Sequence, residues 1–220
     1  MKRFDGVIFD LDGTLIDSLE DIANAANATL AELGKPTCTL ESFKTHVGDG
    51  VSVLFQRALP ETRTDPQLLE RSMRIYQGYY DRGWDRCTKP YPGILQMLQK
   101  AQDQGLKLAV LSNKPDHFTK RCVERFLPGI SFTHVIGHSE RFPRKPDPQS
   151  AIWIASEISH SAARIAYVGD TNTDMKTATG AGLYSIGVSW GFRQVEEILQ
   201  AGAKAICNTS EELSDLLLRS

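Results

Sequence analysis

With 220 residues, 41% of them hydrophobic and 24% charged, the chain is large and apolar enough for one big domain or a domain carrying an insert, and disorder is excluded as its default state. A net charge of -2 removes the electrostatic case for nucleic acid or an anionic membrane as partner. Cys38, Cys87, Cys122 and Cys207 lie far apart with no Cys-x-x-Cys pair, which points to reduced thiols in the cytoplasm, and no apolar run approaches the roughly 18 residues of a membrane span. The first predicted element is a short buried strand at Val7-Ile8-Phe9; Asp10 and Asp12 follow it too soon for the run to serve as a signal peptide. Gly13 and Thr14 come next. Two neighbouring carboxylates at the end of a buried strand repel each other and are costly to desolvate, so a metal ion, a lysine or helix N-termini must offset them.

From about Ser18 to Asp85 there are helix signals and no clear strand. Ser18 is the expected N-cap of a first helix whose apolar stripe is Leu19, Ile22, Ala23, Ala26, Leu30 and Leu33, and Gly34 with Pro36 stops it. Two further helices are expected around Leu40 to Leu59 and Pro66 to Arg82. This block, residues 17–89, predicts a small helical domain inserted after the first strand, with residues 1–16 and 90–220 forming the core domain. Beyond it, Ile94, Leu95 and Leu98 open a helix, and residues 106–111 read as a strand. Phe118, Cys122 and Phe126 recur at four-residue spacing in the next helix. Further strands are expected at 132–136, 165–168, 184–188 and 204–206. Strand and helix in alternation predict an α/β fold, a doubly wound parallel sheet.

In such a sheet ligands bind beyond the carboxyl ends of the strands. Reading onward from each predicted strand end gives Asp10, Asp12 and Thr14; then Ser112, Asn113 and Lys114; then Arg144-Lys145-Pro146-Asp147; then Gly169-Asp170 through Asp174. Taken singly, each group has a plainer explanation. Asp12-Gly13 is a common turn pair, Ser112 and Asn113 suit a helix cap, Lys145 suits a solvated loop, and Asp170 and Asp174 suit a helix start. Separate accidents do not explain why all four fall at strand ends of one sheet.

The chemistry that calls for such a set is phosphoryl transfer. A carboxylate attacks phosphorus to give an acyl phosphate, a hard cation such as magnesium is held by carboxylate oxygens, and a lysine with backbone N–H groups gathers the phosphate oxygens. Of the two aspartates at the first strand, one attacks and its neighbour handles the proton.

Asp10-Leu11-Asp12-Gly13-Thr14, Ser112-Asn113-Lys114, Lys145-Pro146 and Gly169-Asp170-x-x-x-Asp174 together resemble, in order, the four motifs of the haloacid-dehalogenase-like superfamily. The helical insert is similar to that superfamily's small cap, and SNKPDHFTK, RFPRKPDP and WGFR are similar to its phosphoglycolate phosphatase branch. GHSE, residues 137–140, departs from the acidic pattern frequent among relatives. The resemblance implies that Asp10 is the nucleophile and Asp12 the acid that then activates water. Asp10, the Asp12 main-chain carbonyl and Asp170 would bind Mg2+, and Asp174 would steady that site from behind the ligands. Thr14, Ser112, Asn113 and Lys145 would hold the phosphoryl group. Val47-Gly48-Asp49-Gly50 resembles the cap loop that faces the active site, which makes Gly48, Asp49, Gly50 and Arg57 candidate substrate contacts. The expected activity is hydrolysis of a small phosphomonoester, first of all 2-phosphoglycolate, by a monomer or homodimer. A sugar-phosphate phosphatase or phosphomutase is the alternative on the same scaffold. A phospho-accepting receiver domain is the alternative of another class, to be told apart by accumulation rather than discharge of phosphoryl-aspartate.

Overall fold

The computed structural model describes residues 3–159 and 161–219. In chain order the elements are β1 (Gly6–Phe9), β2 (Ile16–Asp17), α1 (Leu19–Glu32), α2 (Leu40–His46), α3 (Val51–Ala58), α4 (Pro66–Asp81), β3 (Lys89–Pro90), α5 (Ile94–Asp103), β4 (Lys107–Pro115), α6 (Asp116–Phe126), β5 (Phe132–His138), α7 (Gln149–Ile158), β6 (Ile165–Gly169), α8 (Asn172–Gly180), β7 (Tyr184–Val188), α9 (Val195–Gln200), β8 (Ala205–Cys207) and α10 (Ser210–Leu218). The chain divides into two compact units, Met1–Ile16 with Pro90–Ser220, and Asp17–Lys89.

The larger unit is the predicted doubly wound α/β fold. Its six strands run in the order β5-β4-β1-β6-β7-β8 and every neighbouring pair is parallel. β1 and β6 are buried along their whole length because helices cover both faces of the sheet, so they read as continuous apolar runs rather than alternating ones. Ile8, Ala109, Leu111 and Tyr167 from the three central strands join Ala151, Ile154, Ala155 and Ile158 of α7 and Ala178 of α8 in one core cluster. The order places β1 in the middle of the sheet, between β4 and β6, so the residues that follow these three strands are brought side by side at their carboxyl ends.

The smaller unit is helical. Thr39 caps α2 by accepting the Ser42 N–H at 3.2 Å, and Asp65 with Pro66 starts α4, Asp65 accepting the Leu68 N–H at 2.9 Å. Phe43, Leu54, Phe55, Tyr76 and Tyr80 are buried between these helices, with the Phe55 and Tyr76 rings edge to face at 5.8 Å. Ser18 is the N-cap residue of α1, as expected, although its side chain makes no cap bond and the Asp17 carboxylate accepts the Leu19 N–H, at 3.4 Å. One expectation fails here. The single helix expected over 40–59 is two, α2 and α3, because Gly48 (φ 116°) and Gly50 (φ 91°) take a left-handed backbone that no helix continues through. Asp21, which sequence reading passed over, is a buried carboxylate satisfied by the Cys87 N–H and by the Thr88 N–H and hydroxyl at 2.7–3.0 Å; it ties α1 to the end of its own unit. Among the described residues no helix is long and apolar enough to cross a membrane.

Candidate active site

Asp10 directly follows β1, and its N–H is bonded to Val168 of β6 at 2.9 Å, so the sheet itself aims the residue. Asp170 and Asp174 arrive from the turn between β6 and the first turn of α8. One carboxylate oxygen from each of Asp10, Asp170 and Asp174 lies within 4.8 Å of the others, and all three residues are buried. Lys145 enters among them, its ammonium donating to Asp10 Oδ1 and Asp174 Oδ1 at 2.7 Å each and to the Leu111 carbonyl at 3.1 Å. The solvated-loop reading of Lys145 is therefore excluded, since the residue is only 5% exposed.

Asp174 does two jobs. It completes a capping box with Thr171, as a helix start predicts, with Oδ2 accepting the Thr171 N–H at 3.1 Å and hydroxyl at 2.6 Å. Its Oδ1 faces Lys145 and accepts the Tyr167 hydroxyl at 3.3 Å. Both oxygens are thus engaged by donors. Asp170 is gripped at Oδ1 by the Thr14 hydroxyl (2.9 Å) and at Oδ2 by the Phe192 N–H (2.8 Å). Gly13 and Gly191 close on it from two sides, and a Cβ at either position collides with the Asp170 carboxylate. Gly191 and Phe192 belong to the WGFR run, whose neighbour Trp190 also donates its indole N–H to the Thr14 carbonyl at 3.0 Å. Sequence reading singled out that run and assigned its residues no role; nothing local shows that it returns to the first motif.

Two of the expected phosphate contacts have side chains bonded within the protein. The Thr14 hydroxyl is fully buried and its hydrogen goes to Asp170, so the side chain orients that carboxylate. The Asn113 amide spans the Lys145 backbone, accepting its N–H at 2.9 Å and donating to its carbonyl at 3.1 Å, and so fixes where the Lys145 ammonium lands. Ser112 differs. Its hydroxyl accepts the Lys114 N–H at 3.2 Å and keeps its own hydrogen for donation. Neither Ser112 nor Asn113 caps a helix, because β4 runs on through both to Pro115. Asp12 stands apart from the three-carboxylate group: its two oxygens face Lys114 Nζ at 3.0 and 3.2 Å, a pairing across 102 positions that the sequence does not announce. In the helical unit, Arg57 clasps its own loop, donating to Asp49 at 2.6 Å and to the Thr45 and His46 carbonyls at the end of α2. Arg57 and Asp49 thereby brace the Gly48–Gly50 turn.

The electrostatics leave a deficit of positive charge. Fully ionised, three carboxylates against one ammonium would leave a net of two negative charges in a buried group, with the Asp12 and Lys114 pair beside it. Burial and the Asp174 charge push the Asp10 carboxyl well above the usual range, against the pull of Lys145. Burial, again with Asp174, pushes Asp170 up to about 7. Burial disfavours the Lys145 ammonium, but Asp10 and Asp174 outweigh it and hold the group charged. Hard oxygen donors, tightly grouped and short of two positive charges, fit a divalent cation such as Mg2+.

A stability prediction follows from Asp170. Its folded pKa lies above the ordinary 3.8, so the folded chain binds a proton that the unfolded chain gives up. This contribution is fully present below about pH 4 and is lost as the pH rises to about 7. Melting temperature in chelator, measured against an Asp170→Asn variant, is expected to fall across that interval relative to the variant, and added magnesium is expected to remove the fall. A native-minus-variant difference that rises with pH refutes the assignment.

Comparison with known proteins agrees with the geometry. Residues 7–188 match the family model of haloacid dehalogenase-like hydrolases. A phosphoglycolate phosphatase of Pseudomonas syringae pv. tomato is 34% identical over 198 residues, covering 88% of this chain and 72% of that protein. Another, of Vibrio cholerae, is 31% identical over 226 aligned positions and 100% of both chains. A crystal structure from Lactobacillus delbrueckii subsp. bulgaricus, assigned provisionally as a phosphoglycolate phosphatase, superposes with a TM-score of 0.92 at 30% identity over 100% of both chains.

Proposed function

The chain belongs to the haloacid dehalogenase-like hydrolase family, and from that premise we propose that it is a Mg2+-dependent phosphoric monoester hydrolase working through an aspartyl-phosphate. The observation that carries this reading is the Asp10 carboxylate, held by Lys145 at 2.7 Å within a buried acidic group that a divalent cation would neutralise. Asp10, Asp170 and the Asp12 carbonyl would hold the ion, with Asp174 behind them. When bound, it supplies positive charge that favours the ionised Asp10 and draws the phosphoryl oxygens.

The rest falls to the chain's own residues. An Asp10 oxygen bonds to phosphorus as the ester P–O bond breaks, and the departing oxygen takes a proton from Asp12, which must first take one up from solvent because it rests as a carboxylate beside Lys114. Asp12, now a base, takes a proton from water, whose oxygen bonds to phosphorus as the Asp10–phosphorus bond breaks. Phosphate leaves and the Asp10 carboxylate is restored. Lys145 and Ser112 donate to the transferring oxygens where their negative charge grows.

For substrate we favour 2-phosphoglycolate among small phosphomonoesters, because the Pseudomonas and Vibrio relatives carry that activity in their names. The free thiols Cys38, Cys87, Cys122 and Cys207 suit a reducing compartment, the cytoplasm. Phosphate release from 2-phosphoglycolate, a hexose phosphate and a nucleoside monophosphate, each with magnesium and with chelator, tests both parts. The expected result is a magnesium-dependent preference for 2-phosphoglycolate. Undiminished release after verified metal removal overturns the metal requirement, and preference for the nucleotide overturns the substrate.

A further inference from the structure

Lys114 takes no part in the steps above, yet it is held with unusual care. Its N–H donates to Ser112 Oγ at 3.2 Å and its carbonyl accepts the Thr119 hydroxyl at 3.1 Å, so its backbone is pinned on both sides. β4 continues four residues past Leu111, beyond Val110, the last residue it pairs with β1, opposite Phe9. The ammonium then meets both oxygens of Asp12, with side-chain exposures of 5% for Lys114 and 12% for Asp12. An ion pair this poorly solvated is costly to build, unlike a surface bridge that forms and breaks freely.

We propose that Lys114 is the positioning residue for Asp12: by spanning both oxygens from a fixed backbone, it holds the carboxylate in the one orientation from which a proton passes to the leaving oxygen and is later taken from water. The proposal rests on the reading of Asp12 as acid and base. Asp12 projects from a turn closed by Gly13 at φ 89°, outside the strand ladder, and the Lys114 ammonium on both its oxygens restricts the rotamers its side chain takes. A misplacement of about 1 Å at such a group costs on the order of 10²-fold in rate.

The test uses p-nitrophenyl phosphate, whose leaving group needs no proton, so that Asp12 is required chiefly for discharge of the phosphoryl-enzyme. In Lys114→Met, turnover is expected to fall on the order of 10²-fold, the low end of what acid–base catalysis contributes. KM should fall with kcat, leaving kcat/KM nearly unchanged. A burst of about one nitrophenol per enzyme should accompany acid-quenched phosphoprotein, by the stoichiometry of nucleophilic catalysis. Lys114→Arg should restore most of the turnover. Should the methionine variant not fold, Lys114→Gln carries the same expectations. A parallel loss of kcat and kcat/KM without a burst, a raised KM at unchanged kcat, or native-like kinetics each overturns the positioning role. Phosphoprotein formed by an Asp10→Asn variant overturns instead the underlying reading of the site.

Discussion

Asp10→Asn is expected to abolish turnover, by roughly six orders of magnitude as for other lost nucleophiles, while leaving the metal-free protein at least as stable as the native chain. The two halves come from the same geometry. An amide has the carboxylate's shape, so the place beside Lys145 stays filled, but its oxygen is too weak a nucleophile to displace an alkoxide from phosphorus. The substitution also takes one of three negative charges out of a buried group in which Asp10 and Asp174 repel. Lys145 keeps its 2.7 Å contact with Asp174. Steady-state phosphate release, acid-quenched phosphoprotein and thermal melting in chelator are the measurements. Retained turnover refutes Asp10 as nucleophile, and a large drop in melting temperature shows that its charge holds the fold together, contrary to the charge balance drawn above.

The sequence was most legible where the signal was local. An apolar run ended by an acid marks a central strand and its active end, and β1, β6 and the acids after them appear where that pattern put them. The strand order, which brings the ends of β4, β1 and β6 together, rests on packing between distant segments. So does each pairing that adjusts a role: Lys114 with Asp12, Thr14 with Asp170, Asn113 with the Lys145 backbone. A hydroxyl or amide in a motif shows that something is donated, and only the fold shows to what. The break of the 40–59 helix was written in Gly48 and Gly50, which a single helix over that segment did not take into account. Lys145 was legible as a member of the site but not as a buried one, because Arg144, Pro146 and Pro148 around it are loop residues and give no sign that the side chain turns inward.

That inward turn sets the effect of Lys145→Met. Loss of one preorganised donor to the transferring phosphoryl group costs about 2.7 to 4 kcal/mol of transition-state stabilisation, or roughly 10²–10³-fold in kcat. A solvated lysine would leave stability untouched, but this one is 5% exposed and bridges two buried carboxylates. Removing one partner from a buried ion pair typically destabilises by about 3–5 kcal/mol, so the variant should also melt well below the native protein in chelator at neutral pH. The deficit should shrink as the pH falls, because Asp10, whose pKa is already raised, accepts a proton in place of the lost counter-charge. Adding Asp10→Asn to Lys145→Met separates the two effects: with one carboxylate gone, Asp174 keeps its bonds from Thr171 and Tyr167, and the double variant should regain much of the melting temperature without any of the turnover. If the single variant melts like the native chain, Lys145 carries no weight in the fold. If the double variant is no more stable than the single one, the loss comes from a packing defect at residue 145 and not from two carboxylates left facing each other.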